Sequence, residues 1–265
     1  MKVYISVDIE GCAGITHWDE TSKTHADYAE FREQMTRETI AAIEGAEAAG
    51  ATDILIKDAH ETGRNLILSM LPGNVRIIRD WAGHPLCMVQ ELDESFNAVM
   101  MVGYHAAAGS EANNLAHTLS SDAVDLRING VRASEFMVHA LASSMLKVPT
   151  VMVSGDRGLM DEVEAANPAI IRCAVKEGRG KSTISMTPVA ACKAIRQSAE
   201  LALKSDLKRC LLKVPERTIV EITYGNAALA YRHSWYTGCR HTGNRTIRFE
   251  TNDYFEALRM LNYVT

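Results

Sequence analysis

Apolar residues fall along this chain in two alternating patterns: short unbroken runs, and longer stretches in which they return at helical spacing. Lys2 to Ile9 is rich in β-branched and aromatic residues and stops at Gly11, which predicts a buried strand followed by a loop. From Asp27 to Ala49, the residues Tyr28, Phe31, Met35, Thr39, Ala42 or Ile43, and Ala46 recur on one helical face, with Gly50 as the stop signal. The runs Asp53 to Lys57, Asn97 to Val102 and Thr150 to Ser154 read as three further strands. Each of the four strand-like runs finishes in polar or ionisable groups: Asp8 and Glu10, Asp58-Ala59-His60, Gly103-Tyr104-His105, and Gly155-Asp156.

Asn129-Gly130 lies between two short apolar-polar runs, a hairpin signal because both central turn positions require positive φ. The strand leaving it delivers Ser134, a capping residue for a helix from Phe136 to Leu146, with Glu135 in the first turn. Farther on, Ile170 to Lys176, Thr218 to Ile222 and Thr246 to Phe249 read as strands, Thr187-Pro188 opens a helix to Lys204, and Asn252 to Leu261 is a last helix. Strands exchanging with helices predict an α/β fold, a mainly parallel sheet flanked by helices, with a smaller α+β C-terminal lobe. The one boundary proposed is near residue 160, dividing 1–160, an α/β domain carrying the strand-end groups, from 161–265, within the same compact subunit. In open parallel sheets the ligand crevice lies beyond the carboxyl ends of the strands, so these endings are expected to meet in space.

Composition narrows the function. The 265 residues suffice for a full core, and 47% hydrophobic with 23% charged residues is ordinary for a globular protein. A net charge of -5 without a basic stripe argues against a nucleic-acid partner. The N-terminal apolar run is short and interrupted by Asp8, unlike a signal peptide or membrane span, so a cytoplasmic protein with no membrane partner is expected. Six cysteines, none in a Cys-x-x-Cys pair, argue against a zinc knuckle or a disulfide framework.

Asp8 and Glu10, two apart on a strand, are expected to share a face and to repel unless a cation lies between them. Solvated carboxylates at a strand end are the plainer alternative. His60 and His105 follow separate strand ends, and two carboxylates with two imidazoles suit zinc or another first-row metal better than magnesium or calcium. A lone histidine at such a position is more often structural, so convergence carries the argument. Glu135 is a further candidate, with an ordinary acidic residue at a helix N-terminus as its alternative. Five ligands exceed one tetrahedral zinc, and a bridging carboxylate, most naturally Asp8, allows a two-metal site that generates a hydroxide for attack on a carbonyl or phosphoryl group.

These residues resemble the D-aminopeptidases of the dipeptide-transport type, metallopeptidases with a paired zinc site. The resemblance rests on Ser6 to Gly11, Lys57 to His60, Gly103 to His105, His117, Gly130 to Glu135, Val153 to Asp156, and Ala174 to Lys176, nearly the whole chain. It implies that Asp8 bridges two zinc ions per subunit, that Glu10 and His105 complete one site, and that His60 and Glu135 complete the other. It further implies that His117 is the catalytic histidine, although the loop Ala106 to Ala116 is slightly longer than the family pattern. As chemistry, His117 is then a general acid/base or an oxyanion stabiliser, a covalent role being less in keeping with a metal-activated nucleophile; a loop histidine bonded to backbone is its alternative. The implied activity is hydrolysis of short peptides, with preference for D-amino-acid residues, by a ring-shaped, decameric homo-oligomer.

Other features carry less. Gly180-Lys181-Ser182 lacks the upstream glycine of a phosphate-binding loop, and Glu135 with His139 lacks the His-Glu-x-x-His arrangement, so His139 is expected in helix packing. His233, Trp235 and His241 read as a surface or interface group. Cys12 to His25, with Trp18, is expected to form a wall or lid of the site, and Lys176 to Lys181 either receives a peptide carboxylate or is a solvated turn. Two other functions compete with the aminopeptidase reading: a two-metal phosphoesterase, disfavoured because only Lys57 adjoins the motif ends, and a non-enzymatic metal-binding protein, disfavoured because structural zinc sites are usually cysteine-rich.

Overall fold

A computed structural model describes residues 1–265. The elements run β1 (Lys2–Val7), α1 (Tyr28–Ala48), β2 (Asp53–Asp58), β3 (Arg76–Ile78), β4 (Ala98–Tyr104), β5 (Ala123–Ile128), β6 (Val131–Arg132), α2 (Glu135–Met145) and β7 (Thr150–Asp156). They continue with α3 (Arg157–Ala166), β8 (Ile171–Arg179), β9 (Ser182–Ser185), α4 (Pro188–Leu203), β10 (Thr218–Tyr224), α5 (Ala227–His233), β11 (Arg240–Gly243), β12 (Thr246–Thr251) and α6 (Tyr254–Val264).

Seven strands form the main sheet in the order β3-β2-β1-β4-β7-β8-β9, parallel throughout except for β9. Every residue of β4 and β7 is buried, as are all but the first of β1 and β2, which is why these runs read as continuously apolar rather than alternating. Helices complete the layers, and the expected mainly parallel α/β architecture is the one found. Chain order reverses between β1 and β4, since β2 and β3 lie to one side and β7 and β8 to the other. That reversal opens a crevice at the carboxyl ends of β1 and β4.

A five-stranded antiparallel sheet, β11-β12-β10-β5-β6, stands beside the main sheet. Both sheets draw strands from either side of residue 160, where the boundary is expected. The β5–β6 hairpin from the first half pairs with β10 from the second, and β8 and β9 of the second half complete the main sheet. Hydrogen bonding between distant strands, rather than chain position, sets the division. The hairpin turns as expected, with φ of 51° at Asn129 and 81° at Gly130. The segment Lys176 to Lys181 is likewise not an isolated loop but the β8–β9 hairpin. No helix is long and apolar enough to cross a membrane.

Candidate metal centre

The first strand ends earlier than its composition suggests. β1 stops at Val7, and Asp8 and Glu10 lie in a tight loop beyond it rather than on one face of a strand. Asp8 N–H still donates to the Val102 carbonyl at 2.8 Å, and Gly11 N–H to the Gly103 carbonyl at 2.8 Å, so the chain bends across the end of β4. Only glycine permits this crossing, because a Cβ at Gly11 would run into the Tyr104 carbonyl. The loop thereby turns both carboxylates towards the crevice, where neither is more than 2% exposed.

His60 follows β2 and is aimed by its neighbours. Its Nε2 lies 2.9 Å from the Thr21 carbonyl, to which it donates, so that Nδ1 faces the cluster, 3.3 Å from Asp8 Oδ1 and 3.0 Å from Glu10 Oε2. Behind it, the Asp58 carboxylate accepts from Asn65 N–H at 2.6 Å and Leu66 N–H at 2.8 Å, and Asn65 Nδ2 donates to the His60 carbonyl at 2.7 Å. His105 follows β4 and has the opposite polarity: Nδ1–H donates to the Ala106 carbonyl at 3.0 Å, and Nε2 faces Asp8 Oδ2 at 3.4 Å and Glu135 Oε2 at 3.3 Å. Glu135 opens α2, where Ser134 Oγ caps Met137 N–H at 3.3 Å, as its sequence position predicts.

All five residues expected as ligands therefore meet in one place. Asp8 sits between the imidazoles, one oxygen towards each. The shortest contacts group Glu10 with His60 and Glu135 with His105, the reverse of the grouping that the resemblance implies. Ligand atoms of Asp8, Glu10 and His105 also lie within 4.8 Å of one another, which accommodates that implied grouping.

The cluster couples its buried acids and imidazoles strongly. Burial and the adjacent Glu10 charge push the Asp8 carboxyl well above the usual carboxylate range. Burial acts in the same direction on Glu135, but His105 overcomes it and holds that carboxyl down at about 2; the carboxylates in turn raise His105, against burial, to about 10. Glu10 Oε2 and His105 Nε2 are buried without a hydrogen-bond partner. Three buried carboxyl groups and two buried imidazoles, each imidazole tied through its other nitrogen to a backbone carbonyl, with Glu10 Oε2 and His105 Nε2 orphaned, form a donor set that fits divalent metal.

His117 lies beside this cluster. Its ring stacks on His105 with centroids 4.2 Å apart, Nδ1–H donates to the Leu115 carbonyl at 2.9 Å, and Nε2 is 3.6 Å from Glu135 Oε1. Trp18 meets it edge-on at 5.4 Å. Trp18, Thr21 and Ser22 line the cleft of about 440 Å³ that opens over the cluster, so the loop after β1 is a wall of the site.

Other expectations are revised. Lys176 does not reach the cleft: it is buried, and its ammonium donates to the backbone carbonyls of Glu10 and Ile15. Arg179 pairs with Glu177 at 2.7 Å, and neither it nor Lys181 lines the cleft, so the β8–β9 hairpin does not supply a carboxylate receptor there. His139 is buried on α2 with Nδ1 bonded to the Glu135 carbonyl at 2.8 Å, and beyond the packing expected of it the residue also lines the cleft. His233 stacks on Tyr224, and Trp235 is exposed, both away from the cleft. Trp81, His84 and Asn113 lie in loops where neither period nor motif marks them as parts of the site, whereas Thr21 falls within the expected wall Cys12 to His25. Asp58 and Asp156 were visible only as polar strand ends.

The family model described as D-aminopeptidase matches residues 1–263. A D-aminopeptidase of Bacillus subtilis (strain 168) is 28% identical over 267 residues, covering 100% of this chain and 97% of that protein. The solved structure of the Zn-dependent D-aminopeptidase DppA from Bacillus subtilis, described as a self-compartmentalizing protease, is similar with a TM-score of 0.93 and 26% identity, covering 100% of this chain and 96% of that one.

Proposed function

The chain belongs to the D-aminopeptidase family, and from that premise we propose that Asp8, Glu10, His60, His105 and Glu135 hold two zinc ions with which it releases N-terminal residues, preferentially D-configured, from short peptides. The protein is a metal-dependent aminopeptidase, and zinc is its metal. The observation that carries the ligand assignment is the buried Asp8, with an oxygen facing each of two imidazoles whose other nitrogens are tied to backbone carbonyls.

Bound there, zinc supplies Lewis acidity for the scissile carbonyl and acidifies a water molecule. This chain's residues do the rest. Asp8 fixes the spacing of the two positions, while the Thr21 and Ala106 carbonyls hold the imidazoles in register. His117, with Nδ1 committed to Leu115, presents Nε2 beside Glu135 and moves a proton at the departing amine or donates to the oxyanion. Trp18, Trp81 and Pro85 wall the cleft against bulk water.

The peptide reading is favoured over phosphate esters by the charge of the walls. Neither Lys nor Arg lines the cleft, and the nearby Lys57 is turned away, its ammonium donating to the Asp58 and Asp80 carbonyls under the Trp81 ring. Self-compartmentalisation, described for the Bacillus subtilis structure, requires subunits to associate. We propose a ring-shaped homo-oligomer, a decamer, for this chain, with the exposed Tyr231, Trp235 and Tyr263 among its contact residues.

Elemental analysis of the purified protein and assays against L- and D-configured dipeptides and phosphate esters test this reading together. Two zinc ions per chain, peptide hydrolysis lost on chelation and restored by zinc, and faster cleavage of D-peptides are expected. Full activity in a metal-free preparation, or hydrolysis confined to phosphate esters, overturns it.

A further inference from the structure

Lys176 is a charged side chain in the interior with no carboxylate as a hydrogen-bond partner. It reaches from β8 across to the loop after β1, 166 residues away in sequence, and its ammonium donates to the Glu10 carbonyl and, at 2.8 Å, to the Ile15 carbonyl. Burial lowers its affinity for a proton, and Asp156, Cys12 and Glu10 oppose that loss. Asn113 reinforces the same point: its Nδ2 donates to the Glu10 carbonyl at 3.3 Å and to Asp156 Oδ2 at 2.9 Å. Asp156 Oδ2 also accepts from Ala106 N–H at 2.8 Å, so this aspartate links the anchor of Glu10 to the residue following His105.

We propose that Lys176, seconded by Asn113, is a positioning residue for metal binding: by gripping the Glu10 backbone carbonyl from behind, it aims the Glu10 carboxylate into the metal cluster. The inference rests on the zinc-peptidase reading above. A fixed tether is needed because Glu10 sits beyond the end of β1, where no sheet hydrogen bond holds its carbonyl. Two donors on one carbonyl replace the missing sheet partner, and a long flexible stem delivers one of them through the core.

The sign of the effect on zinc separates this role from a merely electrostatic one. Removing a cation behind an anionic cluster, with the ligands left in place, raises affinity for a divalent ion. Loosening a ligand lowers it. Zinc titration against a chelating indicator on Lys176→Met and wild type, with circular dichroism as the control for folding, reads the difference. About tenfold to hundredfold weaker binding at one of the two zinc positions is expected, the other position being less affected. In the zinc-loaded variant, kcat is expected to fall more than KM rises, because the aligned metal pair is lost rather than the substrate walls.

Asn113→Ala provides a second measurement should Lys176→Met fail to fold. It removes the other donor to the same carbonyl, and a smaller loss of zinc affinity in the same position is expected. Unchanged or tighter zinc binding in the folded variants overturns the proposal. A wild-type protein that binds no zinc and cleaves no peptide overturns instead the reading on which it rests, so the two failures are distinguishable.

Discussion

His105 and His117 lie face to face, their ring planes 12° apart and centroids 4.2 Å apart, so a proposed metal ligand and a proposed acid/base share one stack. The Nδ1 atoms of both rings are engaged by backbone carbonyls, and both Nε2 atoms point to Glu135, one towards each carboxylate oxygen. Stacking and hydrogen bonding together fix the distance of His117 from the cluster without making it part of the bridge around Asp8.

His117→Ala is therefore expected to lower turnover by on the order of a hundredfold to ten-thousandfold, the usual range for a lost acid/base group. Zinc content is expected to stay at the wild-type value, because the ring of five ligands is intact. Steady-state kinetics with elemental analysis check both halves. Unchanged turnover removes His117 from the mechanism.

Asp8→Asn keeps the size of the side chain and removes the bridging charge. Loss of zinc from both positions is expected, and with it loss of peptide hydrolysis. Zinc bound per chain after dialysis is the measurement; full occupancy in the variant excludes Asp8 as the bridge.

Gly11→Ala places a methyl group against the Tyr104 carbonyl at the crossing of the β1 loop over β4. Overpacking of this kind costs about 1–3 kcal/mol, and the shift it forces displaces the loop carrying Asp8 and Glu10. A lower midpoint in urea unfolding and weaker zinc binding are expected together. A fully stable variant with native zinc affinity contradicts the account of the crossing.

Lys57 gives a pH signature. Burial holds its ammonium down to about 8, only partly opposed by Asp58, against an ordinary value of 10.5. A group whose proton is bound less tightly in the folded state burdens stability fully below the folded value and less as pH rises towards the unfolded one. Its contribution to stability thus increases between about pH 8 and pH 10.5. The difference in melting temperature between wild type and Lys57→Met is expected to shift in favour of wild type across that window. A constant difference disproves the assignment.

Much of the site was legible in the chain because parallel strands buried on both faces are short apolar runs, and the functional groups stand directly after them. His60, His105 and the hairpin delivering Glu135 are found this way, and so are the main helices α1, α2 and α4. The short strands β3, β9 and β11 were not predicted, nor were α3 and α5, whose stability comes from neighbours rather than from a local pattern. Long-range pairing escapes local pattern for the same reason: β5 and β6 belong in one sheet with strands almost a hundred residues later.

The sequence by itself determined which residue types stand at the strand ends, and with them the metal chemistry available to this protein. Only the tertiary structure decided which nitrogen of each imidazole faces the cluster, how Glu10 is held, and that Lys176 serves the loop instead of the substrate. Periodicity reports the burial of an element against its immediate surroundings. The direction of a buried polar side chain is set by hydrogen-bond partners that folding brings from far along the chain, and no local pattern encodes those.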